Sequence, residues 1–101
     1  MGDTNLDRAL EVKKRGNELY LKGEFVAAID LYSEAIGLCP AEKMSDLAIL
    51  YQNRAVANDR LDKLHEALAD CDMSLKMNNR WESGTVLNTM STCQEQLNNT
   101  A

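Results

Sequence analysis

Apolar residues recur along this chain at three- and four-residue spacings, and nowhere in sustained alternation. Residues 25–38 are the clearest case. Phe25, Ala28, Ile29, Tyr32, Ala35 and Ile36 fall at i, i+3, i+4 and i+7 offsets, which gathers them into one stripe of an amphipathic helix. Residues 7–21 carry Leu10, Val12, Leu19 and Tyr20 as the apolar marks of an earlier helix, which Gly23 stops. A third helix is expected from a cap at Ser45 or Asp46 to about Leu61, with Leu47, Leu50, Tyr51 and Ala55 inward. Asp62 is placed to cap a fourth, with Leu64, Ala67, Leu68, Cys71 and Leu75 on its inner side. Pro40 ends the second helix, because it has no N–H to donate and disfavours helix in the residue before it. Further on, Val86, Met90, Cys93 and Leu97 recur at i, i+4, i+7 and i+11, a fifth helical stripe. The Ser, Thr, Asn and Gln that surround it are only mediocre helix formers. The pattern is all-α, with five antiparallel helices.

Two of these helix pairs repeat one another. Gly16, Ala28, Tyr32, Ala35 and Pro40 are separated by 12, 4, 3 and 5 residues, and Ala55, Ala67, Cys71, Ser74 and Asn79 by the same four intervals. Small residues recurring at one offset mark places where two helices approach closely, and the mid-sized or aromatic residue four positions on fills the space beside them. The copies stand 39 apart, from Gly16 to Ala55, with the extra residues falling at 41–46 between the second and third helices. An insertion there lengthens a surface loop or a helix start at little cost. About 20 residues remain for a third copy, enough for one helix.

These residues resemble the tetratricopeptide repeat, a helix–turn–helix unit of about 34 residues. In the first copy Gly, Ala, Tyr, Ala and Pro all stand at signature positions. The second keeps Tyr51, Ala55 and Ala67 but has Asn79 in place of the closing Pro. The resemblance implies an α-solenoid of about two and a half repeats. Residues 1–8 form a leader, 9–81 two repeats with the insertion, and 82–101 a degenerate third repeat or capping helix.

Composition narrows the function. Of 101 residues, 45% are hydrophobic, and 11 basic against 16 acidic side chains give a net charge of -5. An acidic domain of this kind is poorly suited to sequence-independent nucleic-acid binding, which depends on neutralising phosphates. No stretch approaches the roughly 18 consecutive apolar residues of a membrane span, and no membrane contact is expected of this chain. Cys39, Cys71 and Cys93 match no zinc spacing, and the one histidine, His65, lies in a helical stretch. The cysteines read as small apolar core residues of a reduced, cytoplasmic protein, and His65 as a surface histidine. With no Gly-rich phosphate loop, nucleophile elbow or paired metal ligands, no cofactor and no catalytic activity are expected.

Tetratricopeptide domains bind peptides on the concave face lined by the first helix of each repeat. In the chaperone-adaptor subclass, a two-carboxylate clamp holds the acidic C-terminus of the seventy- and ninety-kilodalton heat-shock chaperones. That resemblance implies Lys13 and Asn17 as the first-repeat Lys and Asn, and Asn53 as the second-repeat Asn. Lys13 and Asn17 are one helical turn apart, so a charge and an amide donor can reach one carboxylate. The third-repeat Lys and Arg are missing. With Trp81 in the family's register, Ser83 and Leu87 occupy those positions, and Thr85, Asn88, Thr89 and Thr92 turn inward. Sliding by one residue turns Val86, Met90 and Cys93 inward instead and leaves Gly84 and Asn88 at the clamp. Lys14, Arg54 and Arg80 are the cations available to compensate. Chaperone-peptide binding is therefore expected to be weak.

Within the subclass, the run from Ala35 to Lys43 followed by Asp46-Leu47 and Tyr51-Gln52-Asn53-Arg54-Ala55 is similar to the seventy-kilodalton import receptors of the mitochondrial outer membrane, insertion included. This implies a place at the cytosolic face of that membrane if the chain belongs to a longer, anchored protein. The alternative role is structural. A solenoid short of three repeats leaves apolar surface at its end, and Val86, Leu87, Met90, Cys93 and Leu97 would then join two chains as a homodimer or dock another partner.

Overall fold

The computed structural model describes residues 4–77 and 84–99. Five helices follow one another: α1 (Thr4–Leu21), α2 (Phe25–Leu38), α3 (Met44–Arg60), α4 (Leu64–Met77) and α5 (Gly84–Asn99). Consecutive helices pack on each other, and α3 also meets α1 and α5, so the helices stack into a slab of 51 × 30 × 18 Å. Among the described residues there is no strand.

The two repeats are visible as paired buried positions 39 residues apart. Ala9 and Ala48, Ala28 and Ala67, and Tyr32 and Cys71 are all buried. At Gly16 a side chain would collide: an added Cβ would lie 2.8 Å from Cε1 of Tyr32. The second copy solves the same contact by exchanging sizes, with Ala55 where Gly16 stands and Cys71 where Tyr32 stands, and Leu75 and Met90 packing around them. Ala35 and Ser74 form the last pair. The Ser74 hydroxyl is satisfied by donating to the Ala48 carbonyl at 2.8 Å, which allows a polar side chain in the core.

The turns repeat as well. α1 is terminated by Gly23, two residues past its end, with φ +81; Glu24 N–H donates to the Leu19 carbonyl at 2.9 Å and Gly23 N–H to that of Tyr20 at 3.0 Å. These are the two bonds of a Schellman helix end. In the second copy Asp62 takes the same place with φ 59, while Lys63 N–H reaches the Asn58 carbonyl at 2.9 Å. Asp62 therefore terminates α3 and does not cap α4, which starts at Leu64. At the end of α2, Cys39 is extended (φ -71, ψ 129), as the residue before Pro40 must be.

Two helix starts differ from expectation. α1 begins at Thr4, because Leu6 packs against the cluster around Ala9 and Val12 and carries the helix into the expected leader. α3 begins at Met44, with Lys43 at the cap position and no capping side-chain bond, so Ser45 and Asp46 lie inside the helix. The turn after Pro40 closes at Lys43, whose N–H donates to the Pro40 carbonyl at 3.0 Å. The rest of the insertion lengthens α3, which has 17 residues against 14 in α2 and α4.

α5 packs on α3 and α4 as a cap. Met90 lies against Ala55 and Cys71, and Cys93 is 0% exposed with its thiol donating to Asp59 Oδ1 at 3.3 Å. This supports the slipped register for Met90 and Cys93, although Thr89 is buried with them. It also corrects the reading of Met90 and Cys93 as self-association surface, since both are consumed within the chain. Leu97 is half-buried and Leu87 is 56% exposed, while the side chain of Val86 lies outside the described residues.

Two outcomes test this packing. Asp62→Gly relieves a left-handed backbone that glycine adopts freely, and is expected to stabilise the domain by about 0.5–1 kcal/mol in urea unfolding, with no change in slope. The buried thiols set a pH limit. Burial pushes Cys71 from 9.0 up to about 11 and, with the Asp59 hydrogen bond, Cys93 up to about 12. Below pH 9 both are protonated whether the chain is folded or not. Above it the unfolded chain releases protons that the folded one retains, so the urea midpoint should hold steady through these groups up to pH 9 and fall between pH 9 and 11.

Candidate functional site

The groove between α1 and α3 is built on the Gly16 contact. Because Gly16 has no side chain, the Tyr32 ring of α2 lies flush under α1 and its hydroxyl reaches the groove floor. There it donates to Asn17 Oδ1 at 2.5 Å, and Asn53 Nδ2, coming from α3, donates to the same oxygen at 3.3 Å. Both lone pairs of that oxygen are thus used. Burial, with Tyr20 nearby, raises the Tyr32 phenol to about 12, so it remains a donor throughout the ordinary pH range. Asn17, Tyr20, Tyr32, Gln52, Asn53 and Val56 line a hollow of about 220 Å³.

The structure brings Asn17 and Asn53 into contact. Lys13 is half-buried one turn earlier on α1 and is not part of the hollow's lining. Lys14 is exposed, and Arg80 lies outside the described residues. Tyr20 is held at the rim: its ring meets Phe25 edge-on with centroids 5.2 Å apart, and its hydroxyl accepts from Arg60 Nε at 3.2 Å.

Arg54 is engaged elsewhere. It points from another face of α3 and grips Asp70 of α4 with two bonds, Nε to Oδ2 at 2.9 Å and Nη2 to Oδ1 at 2.6 Å. Its Nη1 donates to Ser33 of α2 at 3.0 Å, and Asn58 Nδ2 donates to Asp70 Oδ2 at 3.0 Å. The bond to Asp70 raises the Arg54 pKa further, against the cost of burial. A second hollow of about 340 Å³ opens over this cluster, lined among others by Ile29, Ser33, Arg54 and Asp70. The expectation that Arg54 supplies a spare cation is therefore corrected: its charge is matched by a buried carboxylate. Sequence reasoning missed this cluster because its bonded partners lie 12 to 21 residues apart with no local signature. It missed Tyr32 as a groove residue because that position reads as core. The signal was the hydroxyl, which a purely packing residue has no use for.

Two helix–turn–helix units joined at small residues and closed by a fifth helix define a tetratricopeptide-repeat domain, and the chain belongs to that family. No family model matches it. It is 42% identical over 78 residues to mitochondrial import receptor subunit TOM70 of Rattus norvegicus, a stretch that covers 77% of this chain and 13% of the receptor. It is 42% identical over 65 residues to tetratricopeptide repeat protein 12 of Mus musculus, covering 64% of this chain and 8% of that protein. The chain thus spans only a small part of the curated relatives it matches. Among solved structures it is similar to the second TPR of Spaghetti (RPAP3) bound to HSP90 peptide SRMEEVD, with a TM-score of 0.82 and 26% identity over 96% of this chain and 83% of that one. The first TPR of the same protein, bound to the same peptide, gives a TM-score of 0.78 at 26% identity over 92% and 70% of the two chains.

If Arg54 is structural, Arg54→Ala strands Asp70 among α2, α3 and α4 and should cost about 2–3 kcal/mol in urea unfolding. Pairing it with Asp70→Asn should recover much of that loss, and a simple sum of the two penalties would refute the coupling.

Proposed function

We propose that this domain is a non-enzymatic adaptor that holds the C-terminal carboxylate of an acidic peptide, of the type carried by the heat-shock chaperones of seventy and ninety kilodaltons. One observation carries the reading: Asn17 and Asn53, from two different helices, meet at the floor of one hollow, with the Asn17 oxygen already bonded internally. What Asn17 keeps is donor capacity. Asn17 keeps both N–H groups of its amide and Asn53 keeps one, and Lys13 adds an ammonium from the turn above. Neutral amides bind a carboxylate without repelling Lys13, and the ammonium supplies the charge. The likeness to domains bound to HSP90 peptide SRMEEVD supports the same direction.

The cation side of the clamp is the weak point. Exposed Leu87 or exposed Asn88 stands where an arginine would, and no Lys or Arg follows Arg80 in the sequence. Each charged contact to a carboxylate contributes about 1.5–3 kcal/mol, so the absence of two weakens a peptide by roughly a hundredfold or more. The site is a cytosolic one, at the outer face of the mitochondrion if this sequence is part of a longer anchored receptor. No helix among the described residues is long and apolar enough to cross a membrane. Self-association through α5 is the lesser reading, since Met90 and Cys93 pack within the chain.

Calorimetric titration of SRMEEVD tests the proposal, run beside the first RPAP3 domain. Binding is expected to be roughly a hundredfold weaker than in that domain, to weaken further with added salt, and to vanish when the peptide's C-terminus is amidated. Lys13→Ala should lower affinity by about tenfold or more. Equal binding of the amidated peptide, or no heat at millimolar concentration, would reject the carboxylate reading.

A further inference from the structure

We propose that Tyr32 is a positioning residue of this groove: its hydroxyl, brought under α1 by the missing side chain of Gly16, turns the Asn17 oxygen inward and so presents the Asn17 amino group to the ligand. The proposal deepens the carboxylate-binding reading and rests on it for its functional consequence.

Three observations converge. The first is that the hydroxyl is not needed for packing. Tyr32 is 2% exposed in a close-packed contact with α1, and phenylalanine would fill the same volume with no polar atom to satisfy. The second is the bonding pattern. With Tyr32 and Asn53 both donating to Asn17 Oδ1, the planar amide must direct Nδ2 away from them. Turning the amide over would set the Asn17 amino group against that of Asn53, donor against donor. The third is that the pair is present or absent as a unit. Thirty-nine residues on, Cys71 stands where Tyr32 does and Val56 where Asn17 does, so the second repeat lacks both the hydroxyl and the amide it would orient. Within this chain the tyrosine occurs where the groove needs a directed amide.

An amide held this way needs no reorganisation when a carboxylate arrives. A freely rotating one would spend part of its time presenting an oxygen to an anion, which repels it. Gly16 enters the same argument, because a methyl at that position would push the ring, and with it the hydroxyl, off the floor.

Tyr32→Phe tests this, with the fold checked by circular dichroism. In the free protein, the side-chain amide proton resonances of Asn17, identified by their loss in Asn17→Ala, are expected to move toward the values of a solvent-exposed asparagine in Tyr32→Phe. A reciprocal measurement leaves Tyr32 in place: its buried hydroxyl proton should be observable in the wild type and lost in Asn17→Ala. In SRMEEVD titrations, Tyr32→Phe should weaken binding by roughly three- to tenfold in the wild type and by nothing further in an Asn17→Ala background. Asn17→Asp retains both acceptor contacts and should fold but lose the peptide. Unchanged Asn17 resonances in Tyr32→Phe, or an equal loss of affinity in both backgrounds, would overturn the proposal. If the wild type ignores the peptide, the carboxylate reading fails, while the Asn17 and hydroxyl resonances still decide whether Tyr32 holds the amide.

Discussion

There is no room for a methyl group between α1 and α2 at Gly16, and much of the molecule follows from that. The backbone of α1 comes down onto the face of Tyr32, where a Cβ would be 2.8 Å from a ring carbon. Close approach of this kind requires small residues on both sides of the seam, and Ala9, Ala28 and Ala35 supply them. The second repeat reaches the same spacing with Ala55 and Cys71, trading a larger residue on one helix for a smaller one on the other. The second pair is the smaller in sum, and Leu75 and Met90 pack against it, as expected of an interior filled to the density of an organic solid.

Packing of α1 on α2 does not by itself fix how one repeat sits on the next. That task falls to the cluster around Asp70. Arg54 bonds to Asp70 within the second repeat and to Ser33 in the first, so one guanidinium ties three helices. A pair this deeply placed loses much of its Coulomb gain to desolvation, so its value lies in direction more than in net stability. The planar fork accepts one arrangement of carboxylate and hydroxyl. Neighbouring residues of α3 thereby divide their work: Asn53 faces α1 and the groove, and Arg54 faces α2 and α4 and sets the stacking that holds the groove open.

Much of this was legible in the sequence, for definite reasons. α2 was expected at residues 25–38 and is found at Phe25–Leu38. Its stripe is unbroken, and glycine and proline bound it on either side. The repeat was readable because it depends on residue size, which a sequence states directly. Helix starts were less legible: the reading at Asp62 took a good capping residue for a cap, when the backbone uses it as a substitute for glycine. Local preference at such a residue supports both roles, and only the hydrogen bonds around it decide. Asn17 and Asn53 could be named from their offsets, but their mutual bond could not, since it spans 36 residues. Nor could the engagement of Arg54, because a charge on a helix looks the same in sequence whether water or a buried aspartate faces it.

The groove that results is ordered at its floor, and the described part of α5 has no cation. On the first-repeat side, Gly16, Tyr32, Asn17 and Asn53 form a continuous chain of contacts from the helix seam to the groove floor. Little entropy is left to lose there when a ligand is bound. Beyond α3, α5 carries exposed Leu87 and Asn88, and Glu95 is the one formal charge among its described residues. On the proposed reading, a peptide carboxylate meets prearranged neutral donors and one ammonium, with no cation on α5 to draw it across the groove. Preorganisation saves the cost of ordering donors, but it does not replace a missing charge, because neutral hydrogen bonds to an anion must outcompete water that bonds it equally well. What limits affinity in such a groove is the field, and a cation restored on the α5 side would add to donors that are already in place.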